Sequence, residues 1–159
     1  MKIRSITCFT DPRSPQQLES LARLAAEGAQ AFRAAGWEVQ TTRLATLPFP
    51  GWLQTSAPEA AVRTVQRMEA DAAGQGFAYL SIGPAHFTRL EDFALIPALI
   101  AATRNTFVTA TMADAAGGIS LPAVRACGQI IAECANITPD GFANLRFAAL
   151  ANVPAYTPF

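Results

Sequence analysis

The chain has 159 residues, of which 51 % are hydrophobic and 15 % are charged, and twelve basic residues balance twelve acidic ones. This length is enough for one domain with its own core. The basic residues are scattered and form no stripe with interleaved aromatic residues, so a nucleic-acid partner is not expected. No apolar run reaches the roughly 20 residues that cross a bilayer, so we expect no membrane span.

Strand-like and helical segments alternate along the chain. Alternating or continuous apolar character predicts five strands, over residues 3–10, 37–44, 77–83, 105–112 and 145–153. Helix-start signals between them predict four helices, which begin at Ser14, Pro58, Thr88 and Ser120. Pro97 lies within the third predicted helix, so we expect a kink or a restart there.

This order of elements predicts an α/β fold. Right-handed crossovers between successive strands make the sheet parallel and lay helices over it. We expect a single α/β domain over residues 1–159, with a five-stranded, mostly parallel sheet and alternating helices. The fifth strand would leave an open edge, which favours pairing with a second copy or with another chain.

The cysteines are predicted to be structural. The chain has an odd number of cysteines, which argues against a disulfide framework; they are Cys8, Cys127 and Cys134. Cys8 lies within the first predicted strand, where a core cysteine is more common than a nucleophile. On the fourth predicted helix, Val124, Cys127, Ile131 and Cys134 are expected to form the buried stripe. No signal-peptide core follows Met1, so a cytoplasmic location is the default expectation.

Polar residues follow several of the predicted strands, where parallel sheets bind ligands. Asp11, His86, Asp114 and Asn152 are expected to share one face at these carboxyl ends. His86 is the only histidine, and it is the candidate acid or base of a catalytic set that includes Asp11 and Asp114. A loop histidine bonded to nearby backbone is the more common alternative.

Two further features suggest anion binding. Arg43, near the end of the second predicted strand, could clamp a carboxylate or phosphate, with Asn152 as a polar neighbour. Gly117, Gly118 and Ser120 lead into the fourth predicted helix, whose amides could hold an anion. The alternative for this run is a turn that lets the chain enter the helix.

A metal site is not predicted. The lone histidine excludes double-histidine zinc motifs. Asp11, His86 and Asp114 could gather around one ion, but their spacing does not indicate it. The sequence points to no particular cofactor.

Several segments, in one order, resemble an uncharacterised family catalogued as domain-of-unknown-function family 711. They are Lys2 to Thr7, Val39 to Phe49, Leu80 to Pro84, Asn105 to Phe107, Met112 to Ala113, and Leu145 to Pro154. The resemblance implies a fold related to glycyl-radical enzymes of the pyruvate formate-lyase type, a ten-stranded α/β barrel built from two five-stranded halves. Members are longer, so it also implies an N-terminal half or fragment, completed by a complementary C-terminal half.

Three hypotheses for function follow. The first is an enzyme, or half of one, that acts on a small polar molecule at the strand carboxyl ends. The second is a non-catalytic module that binds a small molecule or anion. The third is an assembly subunit whose fifth strand pairs with another chain.

Overall fold

A computed structural model describes residues 2–153. Its strands are β1 (Lys2–Thr10), β2 (Glu38–Pro48), β3 (Tyr79–His86), β4 (Thr106–Asp114), β5 (Gly118–Ile119) and β6 (Phe147–Ala151). Its α-helices are α1 (Gln17–Ala34), α2 (Pro58–Gly74), α3 (Ile96–Ala102) and α4 (Leu121–Cys134). Short 3-10 helices cover Phe49–Gly51, Leu90–Leu95 and Phe142–Arg146.

The strands form one mostly parallel sheet, as the sequence predicts. β1, β2, β3, β4 and β6 are parallel neighbours in that order. The remaining strand, β5, has only two residues and pairs antiparallel with the end of β4. It lies between the fourth predicted strand and the helix start predicted at Ser120, because a two-residue strand is too short to leave a periodic pattern and exists only through its pairing.

The helices cover one face of this sheet. Consecutive strands of the chain are neighbours in the sheet, and right-handed crossovers then place every connecting helix on the same side. Leu44, Leu80 and Val108, each at most 3 % exposed, belong to one core cluster with helical residues such as Val65 and Leu99. Because side chains alternate along a strand, the residues next to them face the opposite side, where residues 2–153 place no helix and which we call the helix-free face.

Helix starts follow the predictions in part. Ser120 caps α4, since its hydroxyl accepts the Ala123 amide at 3.3 Å. The restart expected near Pro97 is confirmed, because a 3-10 helix ends at Leu95 and α3 begins at Ile96. The predicted cap at Ser14 is wrong: residues 11–16 form turns, and α1 begins at Gln17 without a side-chain cap.

The Thr88 cap is also wrong. The segment after Thr88 enters a 3-10 helix that begins at Leu90 with no side-chain cap. The Thr88 hydroxyl instead contacts His86. A side chain that already hydrogen-bonds two residues back is not available to cap the helix that follows.

The buried face of α4 differs from the predicted stripe by one position. Cys127 and Cys134 are buried as expected, but Val124 and Ile131 are 40 % and 46 % exposed. Ala123 and Ile130 take their places in the core. Because consecutive helical residues point about 100° apart, burying Ala123 and Ile130 turns the next residues, Val124 and Ile131, toward solvent.

All three cysteines are free and buried. Burial raises the pKa of Cys127 to about 11, and it also raises the pKa of Cys8 and Cys134. These thiols therefore remain protonated at neutral pH, which agrees with a packing role.

No helix within residues 2–153 is both long and apolar enough to cross a bilayer.

Candidate functional site

The parallel strands bring four of the predicted polar residues to one edge of the sheet. Asp11 follows β1, His86 ends β3, Asp114 ends β4 and Asn152 follows β6. Neighbouring strands lie about 4.8 Å apart, so β1 and β3 are about 10 Å apart across the sheet. His86 also lies further along the strand direction than Asp11, because Thr10 pairs with Thr46 whereas Gly83 already pairs with Pro48. His86 and Asp114 end adjacent strands and are in direct contact.

His86 and Asp114 form a hydrogen-bonded pair. Nε2 of His86 lies 3.1 Å from Oδ2 of Asp114, and the side chains are 43 % and 32 % exposed. His86 is in register with Thr111, and β4 continues three residues further to Asp114. This extra length of β4 lets its last carboxylate reach the imidazole at the end of β3.

The surroundings of the His86 ring select one tautomer. The Thr88 backbone N–H donates to Nδ1 at 3.3 Å, and an amide N–H can only donate. Nδ1 of the neutral ring is therefore an acceptor, and the ring proton resides on Nε2 and is donated to Asp114. Oγ1 of Thr88 lies 3.0 Å from Nδ1, to which it donates. The result is a relay from Thr88 through His86 to Asp114.

Asp114 is held by the loop that follows it. Its Oδ1 accepts the N–H groups of Ala116 at 2.9 Å and Gly117 at 2.5 Å. The Gly117 hydrogen bond, followed by the one from His86, lowers the pKa of Asp114 below its ordinary value of 3.8. At pH values above 3.8 the ionised carboxylate therefore stabilises the fold in full. This contribution is lost as the pH falls through the lower pKa of the folded state.

Gly117 has a steric role beside the pair. A Cβ at this position would lie 2.5 Å from Cζ of Phe87, whose ring packs 4.2 Å from the His86 ring between centroids. The absence of a side chain at Gly117 thus leaves room for Phe87 against His86.

The geometry gives no support to an external anion at Gly117, Gly118 and Ser120. The Gly117 N–H already donates to the Asp114 carboxylate, and the Ala123 N–H donates to the Ser120 hydroxyl, so neither is available to an anion. Gly118 belongs to β5 at a φ of +68°, a conformation that favours glycine. In this conformation the run forms the turn into α4, and an anion site here stays a prediction.

Asp11 has a partner of its own. Arg13 donates from Nε to Oδ1 at 2.9 Å and from Nη2 to Oδ2 at 2.7 Å. These hydrogen bonds lower the pKa of Asp11. Arg13 was not among the predicted site residues, although the run Asp11-Pro12-Arg13 indicates a turn that can bring the aspartate and the arginine together.

Arg13 also lines a cavity of about 250 Å³ at the ends of β1 and β2, with Leu47, Pro48, Gly51 and Trp52. The ion pair is thus placed beside an apolar recess at the same edge as His86.

Arg43 lies apart from the His86–Asp114 pair, whereas Asn152 follows β6, the strand that pairs with the end of β4. Asn152 has a φ of 53°, and its backbone N–H donates to the Ala113 carbonyl at 2.9 Å. Arg43 lies inside β2, in register with Thr7 and Tyr79. The predicted second strand ended at residue 44, but β2 continues to Pro48 because it pairs with β3 as far as Gly83.

Within residues 2–153, no group of three or more histidine, cysteine, aspartate or glutamate side chains is arranged to hold a metal ion.

A parallel sheet wound in chain order, with a histidine–aspartate pair at its carboxyl edge, defines an α/β protein with a candidate polar site. The chain belongs to the family described as Uncharacterised ACR (DUF711), whose model matches residues 1–159. No curated protein matches it. The predicted family is thereby confirmed, and the relation to glycyl-radical barrels stays a prediction.

Proposed function

We propose that this chain provides an acid–base site for a small polar molecule at the carboxyl edge of its sheet. His86 would be the catalytic proton carrier, and Asp114 would be the residue that positions it. The observation that carries the proposal is the relay in which Thr88 donates to Nδ1 of His86 and Nε2 donates to Asp114.

The relay suits His86 to act as a base. Nδ1 holds the basic lone pair of the ring, and a substrate proton would reach it by displacing the exposed Thr88 hydroxyl and the longer, 3.3 Å contact of the Thr88 N–H. The imidazolium formed would be stabilised by Asp114, whose lowered pKa keeps it ionised at neutral pH. Positioned general bases of this kind typically contribute about 10²–10⁴-fold to a rate.

The polar neighbours at the same edge favour a small polar substrate. The Asp11–Arg13 ion pair flanks the site on the β1 side, and Asn152 follows β6 on the other. Arg13 could exchange its contact with Asp11 for a ligand carboxylate, since a guanidinium binds either one in the same bidentate geometry.

A proton-transfer probe tests the relay. We expect the Asp114→Ala variant to hydrolyse 4-nitrophenyl acetate about 10-fold more slowly than the wild type, because the ring loses its orientation and its counter-charge. His86→Gln should lose the remaining His86-dependent rate. Asp71→Ala, at an exposed aspartate on α2, is the matched control and should leave the rate unchanged.

The ring tautomer gives an independent measurement. Because His86 is the only histidine, its ¹⁵N signals are unambiguous. In the wild type they should show one neutral tautomer with the proton on Nε2, and in Asp114→Ala they should show a mixture. A wild-type ring that already exchanges between both tautomers, or equal hydrolysis rates in the wild type and Asp114→Ala, would contradict the proposal.

A second candidate function, an assembly subunit, is favoured by the edge at β6. Within residues 2–153 this strand pairs only with β4, and beside it Phe142 and Leu145 are 62 % and 65 % exposed. An open strand next to apolar side chains is a surface on which a second copy of the chain could pair.

Light scattering over a range of protein concentrations tests this assembly. We expect self-association that weakens at least about 10-fold in Leu145→Glu, because a charge would be buried at the contact. Leu24→Glu, at a similarly exposed leucine on α1, should associate like the wild type. A monomeric wild type at all concentrations would refute the assembly hypothesis.

A further inference from the structure

The helix-free face of the sheet has a single cation near its middle, among the residues that the structure describes. Leu44, Leu80 and Val108 point into the core, so the adjacent positions on β2, β3 and β4 point the other way. Those positions include Arg43, Tyr79, Ser81 and Phe107, and register pairing places them beside one another.

The Arg43 guanidinium lies beside two aromatic rings that contact each other. Its Cζ is 5.9 Å from the Tyr79 ring centroid and 5.7 Å from that of Phe107. The two rings meet edge to face, with centroids 5.2 Å apart and an interplanar angle of 84°. Both contacts are within the range of cation–π attraction, so the rings hold the guanidinium in place before any ligand arrives.

One N–H of this guanidinium has no hydrogen-bonding partner in the described part of the chain. Nε of Arg43 is buried and makes no hydrogen bond within residues 2–153. The buried Arg146, by contrast, donates to two carbonyls, and Arg13 and Arg89 pair with carboxylates. A buried donor without an acceptor is unfavourable, and such exceptions in a folded protein call for an explanation.

The surroundings of Arg43 supply donors but no negative charge. Thr7, its register partner on β1, and Ser81, next to Tyr79 on β3, carry hydroxyls, and Ser81 is only 7 % exposed. The strand segments around Arg43 contain no aspartate or glutamate. These segments are residues 3–9, 39–45, 79–81 and 107–111. A charged group held in this way is complementary to an anion.

We propose that the helix-free face carries a binding site for a small oxyanion, centred on Arg43. The Nε–H and one Nη–H of a guanidinium form a fork that matches two oxygens of a carboxylate or a phosphate. Ser81 and Thr7 would add hydroxyl donors, and the Tyr79 and Phe107 rings would form the walls. A carboxylate on an aromatic or aliphatic body fits these walls better than a bare inorganic ion.

This site is separate from the His86–Asp114 pair. Tyr79, the register partner of Arg43, begins β3, whereas His86 ends it. Six residues of strand lie between them, so they are on the order of 20 Å apart along the backbone. The oxyanion site therefore does not depend on the proposed acid–base function.

The Arg43 Nε–H resonance in ¹H–¹⁵N NMR spectra is the direct test. We expect it to shift saturably with sodium benzoate, with a Kd of about 1 mM, and more weakly with inorganic phosphate. Sodium chloride at matched ionic strength is the control for non-specific screening. An unchanged Nε–H signal at about 20 mM of both anions would overturn the proposal, and this readout needs no variant.

Variants locate the binding. We expect Arg43→Met to weaken benzoate binding at least about 10-fold, since the fork is removed. Arg43→Lys, which keeps the charge without the fork, should fall between Arg43→Met and the wild type. Arg63→Met, at an exposed arginine of α2, and Asp114→Ala should both bind like the wild type.

Two other outcomes would refute the oxyanion site. Equal weakening in Arg63→Met would mean that benzoate senses only the overall charge. An Nε–H signal that responds to protein concentration but not to either anion would mean that a carboxylate of another chain, and not a small molecule, occupies the face.

Discussion

Gly83→Ala is expected to destabilise the protein by about 3 kcal/mol, at the upper end of typical overpacking effects. A Cβ at Gly83 would lie 2.7 Å from the backbone N of Pro48 and 2.8 Å from the carbonyl carbon of Leu47. Both atoms belong to the backbone of β2, so no side-chain rotation can relieve the contact. The two strands would have to separate where β2 and β3 are paired after their register shift.

Urea unfolding measures this effect, and Gly74→Ala is its matched control. Gly74 ends α2 and does not require a positive φ, and a methyl group at this position would meet no other atom within 4 Å. Its replacement should leave stability unchanged or raise it by up to about 1 kcal/mol through the unfolded state. Equal midpoints for the two variants would show that β2 and β3 are not closely apposed at Gly83.

Arg146→Met is the second substitution with a large expected effect, a loss of about 3 kcal/mol if each abandoned carbonyl costs about 1–3 kcal/mol. Arg146 is 9 % exposed and donates from Nη1 to the Thr103 carbonyl and from Nη2 to the Ile100 carbonyl, both at 2.8 Å. These carbonyls lie at the end of α3, where helical amides run out: the Ile100 carbonyl otherwise accepts only the distant Thr103 N–H, at 3.5 Å.

The charge of Arg146 adds to this role. Burial lowers its pKa, yet the cation sits at the carboxyl end of α3, where the helix dipole is negative. Methionine keeps most of the side-chain volume and removes both donors, so the variant isolates the hydrogen bonds. Arg146→Lys should be intermediate, because a lysine has one donor group and cannot span both carbonyls in the same fork.

Thermal unfolding compares Arg146→Met with Arg125→Met. Arg125 is exposed on α4, so its replacement should change stability by no more than about 0.5 kcal/mol. If both variants melt at the same temperature, the two carbonyls at the end of α3 do not depend on Arg146.

Local patterns predicted most of the elements. The five longer strands follow from side-chain alternation, and the cap at Ser120 follows from a hydroxyl next to a free helical amide. The restart at Pro97 follows from the fixed φ of proline. All three causes are local, because they involve only residues that are neighbours in the sequence. The one-position error on α4 arose because two overlapping stripes share Cys127 and Cys134, and only packing chooses between them.

The polar contacts were predicted less completely. His86 and Asp114 were both candidates, but their direct contact, across 28 positions of chain, requires the register of β3 with β4. Thr88 was expected to cap a helix, and its hydrogen bond to His86 became evident only from the loop geometry. Arg146 was not a candidate, because nothing in its neighbours indicates that a helix end 43 positions earlier lies beside it.

The order of residues was enough to establish an α/β protein with parallel strands, because alternating strands and helices with right-handed crossovers permit little else. That inference already gathered Asp11, His86, Asp114 and Asn152 at one edge. Only the tertiary structure shows that the strands follow one another in chain order, so that residues 2–153 place their helices on one side of the sheet. Arg43 lies on the other side, the helix-free face. The difference arises because alternation specifies which side chains share a face of a strand, whereas backbone pairing selects the neighbouring strand and its register.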